Sequence, residues 1–127
     1  MFSHVTVGAD DLEISKAFYD AVLGPLGYGP AMAVSEDRYA YPSDKGVFLI
    51  IRPINGQQAS HANGGTIGFT CDSPEKVDAW HAAGIANGGK SVEDPPGIRA
   101  SGFGNMYLAY LRDPYGNKLC AMHRMTA

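Results

Sequence analysis

Residues 4–28 read HVTVGADDLEISKAFYDAVLGPLGY and contain two kinds of periodicity. Apolar and polar residues alternate over residues 4–8, which predicts a strand. The residues that follow carry apolar side chains at helical spacing, and Asp10 or Asp11 is a suitable N-cap for a helix there. The Gly-Pro pair beginning at Gly24 ends the helical pattern. This stretch therefore predicts a strand followed by an amphipathic helix.

The same plan recurs 62 positions later in the chain. Residues 66–70, TIGFT, alternate as residues 4–8 do, and Ser73 before Pro74 is a suitable helix start. Such a recurrence indicates a repeated strand–helix unit. Strand-like sequence follows each unit, at residues 38–42 and 47–53 in the first half and at 107–111 and 118–122 in the second.

The repeat predicts one α+β domain over residues 1–127, built from two βαβββ modules at about residues 1–56 and 64–127. Their strands are expected to form a curved mixed sheet around a cavity. The third strand of each module has the weakest sequence pattern.

Composition limits the classes of partner. The 127 residues carry a formal net charge of -3 and no long basic run, which argues against nucleic acid and anionic membranes. No apolar stretch approaches the roughly 20 residues that span a bilayer. The two cysteines lack CxxC spacing, and the start of the chain does not resemble a signal peptide. A cytoplasmic location is the expectation.

Side-chain alternation assigns residues to the two faces of each predicted strand. Val5 and Val7 are expected to pack beneath a helix, which turns His4 to the opposite face. The same reasoning puts further residues on that opposite face, where they would line the cavity: Phe48, Ile50, Arg52, Thr66 and Cys120.

The segment RDPYGNKLCAM, residues 112–122, combines a turn with a last strand. Together with residues 4–28 and GGTIGFTCDS, residues 64–73, it resembles the vicinal oxygen chelate superfamily, which includes glyoxalase I, bleomycin-resistance proteins and extradiol dioxygenases. PGIR, a glycine-rich segment and MYLAYLRDPYGN are similar to a bacterial glyoxalase-like subgroup. The resemblance spans nearly the whole chain and implies a homodimer, because modules of this superfamily often pair across chains.

Metal enzymes of that superfamily place ligands at four positions, which the resemblance carries to His4, Ile50, Thr66 and Cys120. Only His4 is of the usual ligand type. Isoleucine cannot coordinate a metal, a neutral threonine hydroxyl is a poor ligand for zinc or nickel, and a catalytic site generally keeps about three protein ligands. The expectation is therefore no metal and no other cofactor, and a divalent metal held by other ligands stays an alternative.

His4 and Cys120 are the candidate catalytic residues. A histidine titrates near neutrality and could accept a proton or donate a hydrogen bond. A cysteine could be a nucleophile if a nearby His4 or Arg52 lowered the pKa of its thiol. The structural alternatives are a histidine satisfied by a neighbour and a small buried thiol.

The candidate substrate-binding residues are Phe48, Ile50, Arg52, Thr66, Arg99 and Tyr107. Arg52 and Arg99 could each hold an anionic group in a forked geometry. The alternatives are that Arg52 reaches solvent and that Arg99 stabilises its glycine-rich loop through backbone carbonyls. Tyr107 would contribute a ring and a hydroxyl.

These residues predict a protein that binds a small organic molecule in its sheet cavity without the family-type metal; whether it is also an enzyme stays open. The alternative function is a metal-dependent lyase, isomerase or dioxygenase with unusual ligands, in which the metal acts as a Lewis acid. A third hypothesis is an interaction module whose cavity is filled by side chains.

Overall fold

The computed structural model describes residues 1–125 of the chain and has an α+β fold, which confirms the expected fold class. Its elements in chain order are β1 (His4–Gly8), α1 (Leu12–Leu23), β2 (Met32–Ser35), β3 (Arg38–Ser43), β4 (Gly46–Ile51), β5 (Ile67–Thr70), α2 (Pro74–Ala86), β6 (Lys90–Ser91), β7 (Gly97–Ser101), β8 (Gly104–Arg112) and β9 (Lys118–Arg124). Within these residues, neither helix is long and apolar enough to span a membrane.

Both helices begin where the sequence predicts. The Asp11 side chain accepts a hydrogen bond from the backbone N–H of Glu13 at 2.9 Å and is the N-cap of α1. The Ser73 hydroxyl accepts one from the backbone N–H of Lys76 at 3.2 Å and caps α2. A short 3-10 turn follows α1 and ends at Gly27, whose φ of 96° lies in the left-handed region.

The strands form two separate sheets. Sheet one has the order β1-β4-β3-β2, and sheet two has the order β5-β9-β8-β6, with β7 also paired to β8. The first strand of each half runs parallel to the last, β1 to β4 and β5 to β9, and the other pairs are antiparallel. The sequence patterns predicted no strand at β2 in the first half, or at β6 and β7 in the second. In the described part of the chain no strand of one sheet pairs with a strand of the other, so the sheets do not close into a barrel.

One apolar core runs through both halves of the molecule. Helices α1 and α2 pack against each other, and each also covers one face of a sheet. Phe48 of sheet one meets Phe69 of sheet two edge to face, with ring centroids 5.3 Å apart. Gly84 of α2 allows a close approach, because a Cβ there would lie 2.3 Å from Cδ1 of Leu111. Each sheet keeps its other face, here called the open face, directed away from the helices.

The predicted face of β4 was wrong. β4 pairs with β1 in the register Val5↔Phe48 and Val7↔Ile50, and residues directly opposite each other in a sheet point to the same side. Phe48 and Ile50 are therefore core residues, 6% and 0% exposed, beneath α1. The cause is that residues 47–51, VFLII, are apolar on both faces, so alternation cannot assign them.

The turn between β8 and β9 fastens the two halves together. Tyr19 of α1 donates a hydrogen bond to Oδ2 of the buried Asp113 at 2.6 Å, and Asn117 donates another at 2.8 Å. Asn117 also donates to the backbone carbonyl of Gly8 at 3.1 Å. The Tyr115 hydroxyl accepts a hydrogen bond from the N–H of Asp11 at 2.9 Å. We call these residues, Asp113, Tyr115, Asn117 and Tyr19, the turn clasp.

The Tyr19 hydroxyl of the turn clasp stays protonated. Burial raises the pKa of the Tyr19 hydroxyl well above its usual value, and the Asp113 carboxylate raises it further. The hydroxyl is therefore a hydrogen-bond donor throughout the neutral pH range.

Replacing the tyrosine of the clasp should destabilise the fold. We expect Tyr19→Phe to lower the free energy of unfolding by about 1.5–3 kcal/mol, because Asp113 stays buried with one donor fewer. Urea denaturation measures this free energy. Tyr107→Phe is the control, since it removes a hydroxyl that bonds the exposed Asp78 and should cost about 0.5 kcal/mol or less. Equal costs for the two variants would contradict a stabilising role of the clasp.

Candidate functional site

A cleft of about 660 Å³ separates the edge of sheet one from the edge of sheet two. The starts of β1 and β4 form one wall, and β5 forms the other. We call it the intermodule cleft. Three of the predicted site residues line it, His4, Phe48 and Thr66, together with Tyr28, Tyr41, Phe69, Lys45 and Lys76.

His4 and Thr66 occupy equivalent places in the two halves. His4 is the first residue of β1, and Thr66 directly precedes β5. Both are exposed, and the hydroxyl of Ser3 lies 2.8 Å from Nδ1 of His4. The structure therefore brings these two predicted residues to the same cleft.

Cys120 lies on the open face of sheet two and not in the intermodule cleft. Its neighbours Leu119 and Ala121 are fully buried on the helix side, which turns Cys120 to the opposite side, where it is 8% exposed. Tyr110 stands directly across from it on β8. Burial raises the pKa of the Cys120 thiol, against a smaller lowering by the Tyr110 hydroxyl. Cys120 is therefore a neutral thiol near pH 7, which is a weak nucleophile.

Two predicted cavity residues have other partners. Arg52 is about half exposed and forms a surface ion pair with Asp37, with Nη1 and Oδ1 3.6 Å apart, so it reaches solvent instead of a cavity. Tyr107 faces the helix side of sheet two, because it pairs with His123 in the register that also pairs the buried Ala109 with Ala121. Its hydroxyl donates to Oδ1 of Asp78 on α2 at 2.8 Å.

Arg99 lies on the same open face as Cys120, because β7 pairs Arg99 with Met106 of β8. Its guanidinium donates to the backbone carbonyls of Asp94, Pro95 and Gly97, each at 3.0 Å. These bonds match the alternative given for this residue, a loop held through backbone carbonyls.

Sequence reasoning missed Tyr110 and Lys118 of that open face, and Glu93 of the loop between β6 and β7. Lys118 forms an ion pair with Glu93, and its Nζ lies 5.0 Å from the centroid of the Tyr110 ring. Glu93 and Lys118 are 25 positions apart, so no local pattern links them. The one available signal was the spacing of Lys118 and Cys120, which are two positions apart on β9 and therefore point to the same face.

The residues at the family's ligand positions do not fit the family-type metal. The register of β1 and β4 puts Leu49, not Ile50, on the open face beside β1. The ligand position that the resemblance assigned to Ile50 is therefore apolar with either residue. His4 and Cys120 stand on different sheets, so a single copy of the chain does not bring them together. Among residues 1–125 no group of three or more His, Cys, Asp or Glu side chains lies close enough together to hold a metal ion.

A comparison with sequence-family models found a match. The sequence model of the Glyoxalase/Bleomycin resistance protein/Dioxygenase superfamily matches residues 1–121. The chain belongs to this superfamily. A comparison with curated proteins found no match. The resemblance inferred from residues 4–28, 64–73 and 112–122 is thus confirmed.

Solved structures of the glyoxalase/bleomycin-resistance type share the fold over almost the entire chain. A glyoxalase/bleomycin resistance protein from Albidiferax ferrireducens T118 is 62% identical, with a TM-score of 0.95 over 98% of this chain and 99% of that one. A glyoxalase/bleomycin resistance protein/dioxygenase family enzyme from Burkholderia phytofirmans PsJN is 19% identical, with a TM-score of 0.73 over 97% and 98%. Lactoylglutathione lyase from Agrobacterium tumefaciens is 20% identical, with a TM-score of 0.65 over 97% and 92%. The last two likenesses concern the fold alone.

Thiol alkylation should follow the burial of the two cysteines in this glyoxalase-fold chain. Burial raises the pKa of Cys71 to about 11 and raises that of Cys120 as well. Because only the thiolate reacts, we expect iodoacetamide to label both slowly at pH 7, with rates that rise through pH 9 and above. Mass spectrometry of the labelled peptides measures each rate, and the protein in urea is the control. A Cys120 rate already at its plateau at pH 7 would contradict the neutral thiol.

Proposed function

We propose that the protein binds a small organic molecule between the open faces of sheet one and sheet two, without the family-type metal, in a cavity that two copies of the chain build together. One observation carries the proposal. His4 and Cys120 lie on open faces of two different sheets, and no strand of one sheet lies beside a strand of the other within residues 1–125.

Both sheets end in a strand that borders the intermodule cleft. β1 pairs only with β4 and β5 pairs only with β9 in the described part of the chain. The N–H of Val47 donates to the carbonyl of Ser3 at 3.1 Å, and the N–H of Ala9 donates to the carbonyl of Ile51 at 2.9 Å. Backbone groups of alternate residues point to alternate sides of a strand, so those of Thr6 point to the outer edge.

The outer edge of β5 is arranged in the same way. The N–H of Cys71 donates to the carbonyl of Met122 at 2.7 Å, which directs the backbone groups of Thr70 outward. Outward-directed backbone groups on an edge strand are a template for pairing with another chain. If β1 of one copy pairs with β5 of the other, a two-fold axis repeats the contact and both edges are satisfied in both copies.

Such a dimer would put the open face of sheet one beside the partner's open face of sheet two. The first face offers an apolar wall from Val47, Leu49 and Ile51, with His4 at its rim. The second offers the Tyr110 ring and the Cys120 thiol beside the charged Lys118. An apolar wall with a few polar groups is the usual composition of a small-molecule site.

The donor chemistry supports binding without the family-type metal. Among the residues at the superfamily's four ligand positions, His4 and Cys120 are the two whose side chains can bind a metal strongly. Burial keeps the Cys120 thiol protonated. Leu49 has no donor atom, and Thr66 has only a hydroxyl. In the proposed cavity His4 would donate or accept a hydrogen bond with the ligand, and Cys120 would form part of the wall.

The proposed dimer can be tested by its mass and by hydrogen exchange. We expect light scattering to return twice the 13.5 kDa chain mass at micromolar concentration. The outward amides of Thr6 and Thr70 should exchange slowly, because the partner's strand would pair with them. The internal control is the set of β2 amides that point away from β3, at the other edge of sheet one, and these should exchange fast. A monomer mass would contradict the shared cavity.

Metal content tests the other half of the proposal. We expect elemental mass spectrometry of untagged protein, purified without chelator, to find well below one nickel, zinc, iron or manganese ion per chain, because Leu49 and Thr66 supply no strong ligand. Near-stoichiometric metal that His4→Ala removes would contradict a metal-free cavity. The matched control is His81→Ala, which changes a histidine of α2 that is hydrogen-bonded to Ser91 of β6 and does not line the intermodule cleft.

A further inference from the structure

The open face of sheet two concentrates positive charge in a chain whose net charge is -3. The cross-strand pairs Lys90↔Arg112 and Arg112↔Lys118 form a row across β6, β8 and β9. Residues directly opposite in antiparallel strands share a face, so all three cations stand on the side of Cys120. Strands β6, β7, β8 and β9 contain no aspartate or glutamate. This face is therefore suited to an anion.

Lys118 already holds one anion, the carboxylate of Glu93 from the loop between β6 and β7. The lysine is 24% exposed, and its Nζ lies 5.0 Å from the Tyr110 ring centroid, so the ammonium group is fixed over an aromatic surface. The neighbouring Arg112 donates to the carbonyl of Gly116 at 2.7 Å, which also fixes its position.

The backbone of Glu93 is held in an unfavourable conformation. Its φ of 58° is the one positive value at a non-glycine residue in the part of the chain that the structure describes. Such a conformation persists where surrounding contacts hold it, and it is often found at ligand sites. The contact that engages the Glu93 side chain is the ion pair with Lys118.

We propose that Lys118, flanked by Arg112 and Lys90, is a carboxylate-binding subsite, and that Glu93 occupies it until a carboxylate of the ligand takes its place. The inference rests on the proposed function, since it concerns one wall of the same cavity. Leu108 and Met122 lie beside Cys120 on this face, so the ligand class is an organic carboxylate with an apolar body. Release of Glu93 would also free the strained backbone of its loop.

Benzoate is the probe for this subsite, followed by ¹H–¹⁵N NMR titration of the full-length protein. We expect benzoate to shift the amides of Glu93, Tyr110 and Lys118, and the neutral benzamide to leave them unshifted. Phenyl phosphate distinguishes a carboxylate subsite from a phosphate subsite. Phenyl phosphate binding at these residues ten times more tightly than benzoate would overturn the carboxylate assignment.

Variants separate the roles of the two charges. Glu93→Gln should tighten benzoate binding about tenfold, because it removes the competing carboxylate. Lys118→Met should weaken benzoate binding at least tenfold, whereas Lys118→Arg should retain it. The matched controls are Glu36→Gln, an exposed glutamate of the β2–β3 turn, and Lys16→Met, a lysine paired with Asp20 on α1. Both controls should leave the affinity unchanged.

The subsite and the shared cavity can fail separately. Unchanged benzoate affinity in Glu93→Gln, or in Lys118→Met, would overturn the subsite even if the protein is a metal-free dimer. Benzoate shifts that follow these charges in a protein of monomer mass would support the subsite and contradict the shared cavity.

Discussion

The buried carboxylate of Asp113 is the constraint on which the arrangement of the two halves depends. A buried charge is costly unless hydrogen bonds satisfy it. Here Oδ1 accepts from the backbone N–H groups of Tyr115 and Asn117, at 2.9 and 3.0 Å, and Oδ2 accepts from two side chains, one of them Tyr19 on α1. Because the donors come from both halves, the carboxylate fixes α1 against the turn of sheet two.

That fixed packing determines which surfaces remain available for function. Helices α1 and α2 meet each other and cover one face of each sheet, so the chain satisfies its apolar faces without joining the sheets. The consequence is two open faces and two edge strands on either side of the intermodule cleft. The single chain thus stabilises both modules but leaves His4 and Cys120 apart, which is why the proposed cavity needs a second copy.

The sequence predicts the parts of this arrangement that have clear alternation. Residues 4–8 and 66–70 switch regularly between apolar and polar side chains, and their predicted faces are confirmed by the burial of Val7 and the core contacts of Phe69. Alternation fails for Ile50, because residues 47–51 are apolar throughout and only pairing with β1 decides their faces. It also could not reveal Lys118 and Glu93, whose ion pair joins a strand to a distant loop.

The two open faces differ in chemistry, and in the proposed cavity this difference would constrain the ligand. Sheet one offers Val47, Leu49 and Ile51, whereas sheet two offers a row of cations beside an aromatic ring. A neutral polar molecule would leave the first wall without an apolar partner, and a hydrocarbon would make no polar contact with the cations of the second wall. A ligand that satisfies both walls has an apolar body and a negative end. In the proposed cavity Cys120 would therefore be a small protonated side chain between the two regions and would not serve as a nucleophile.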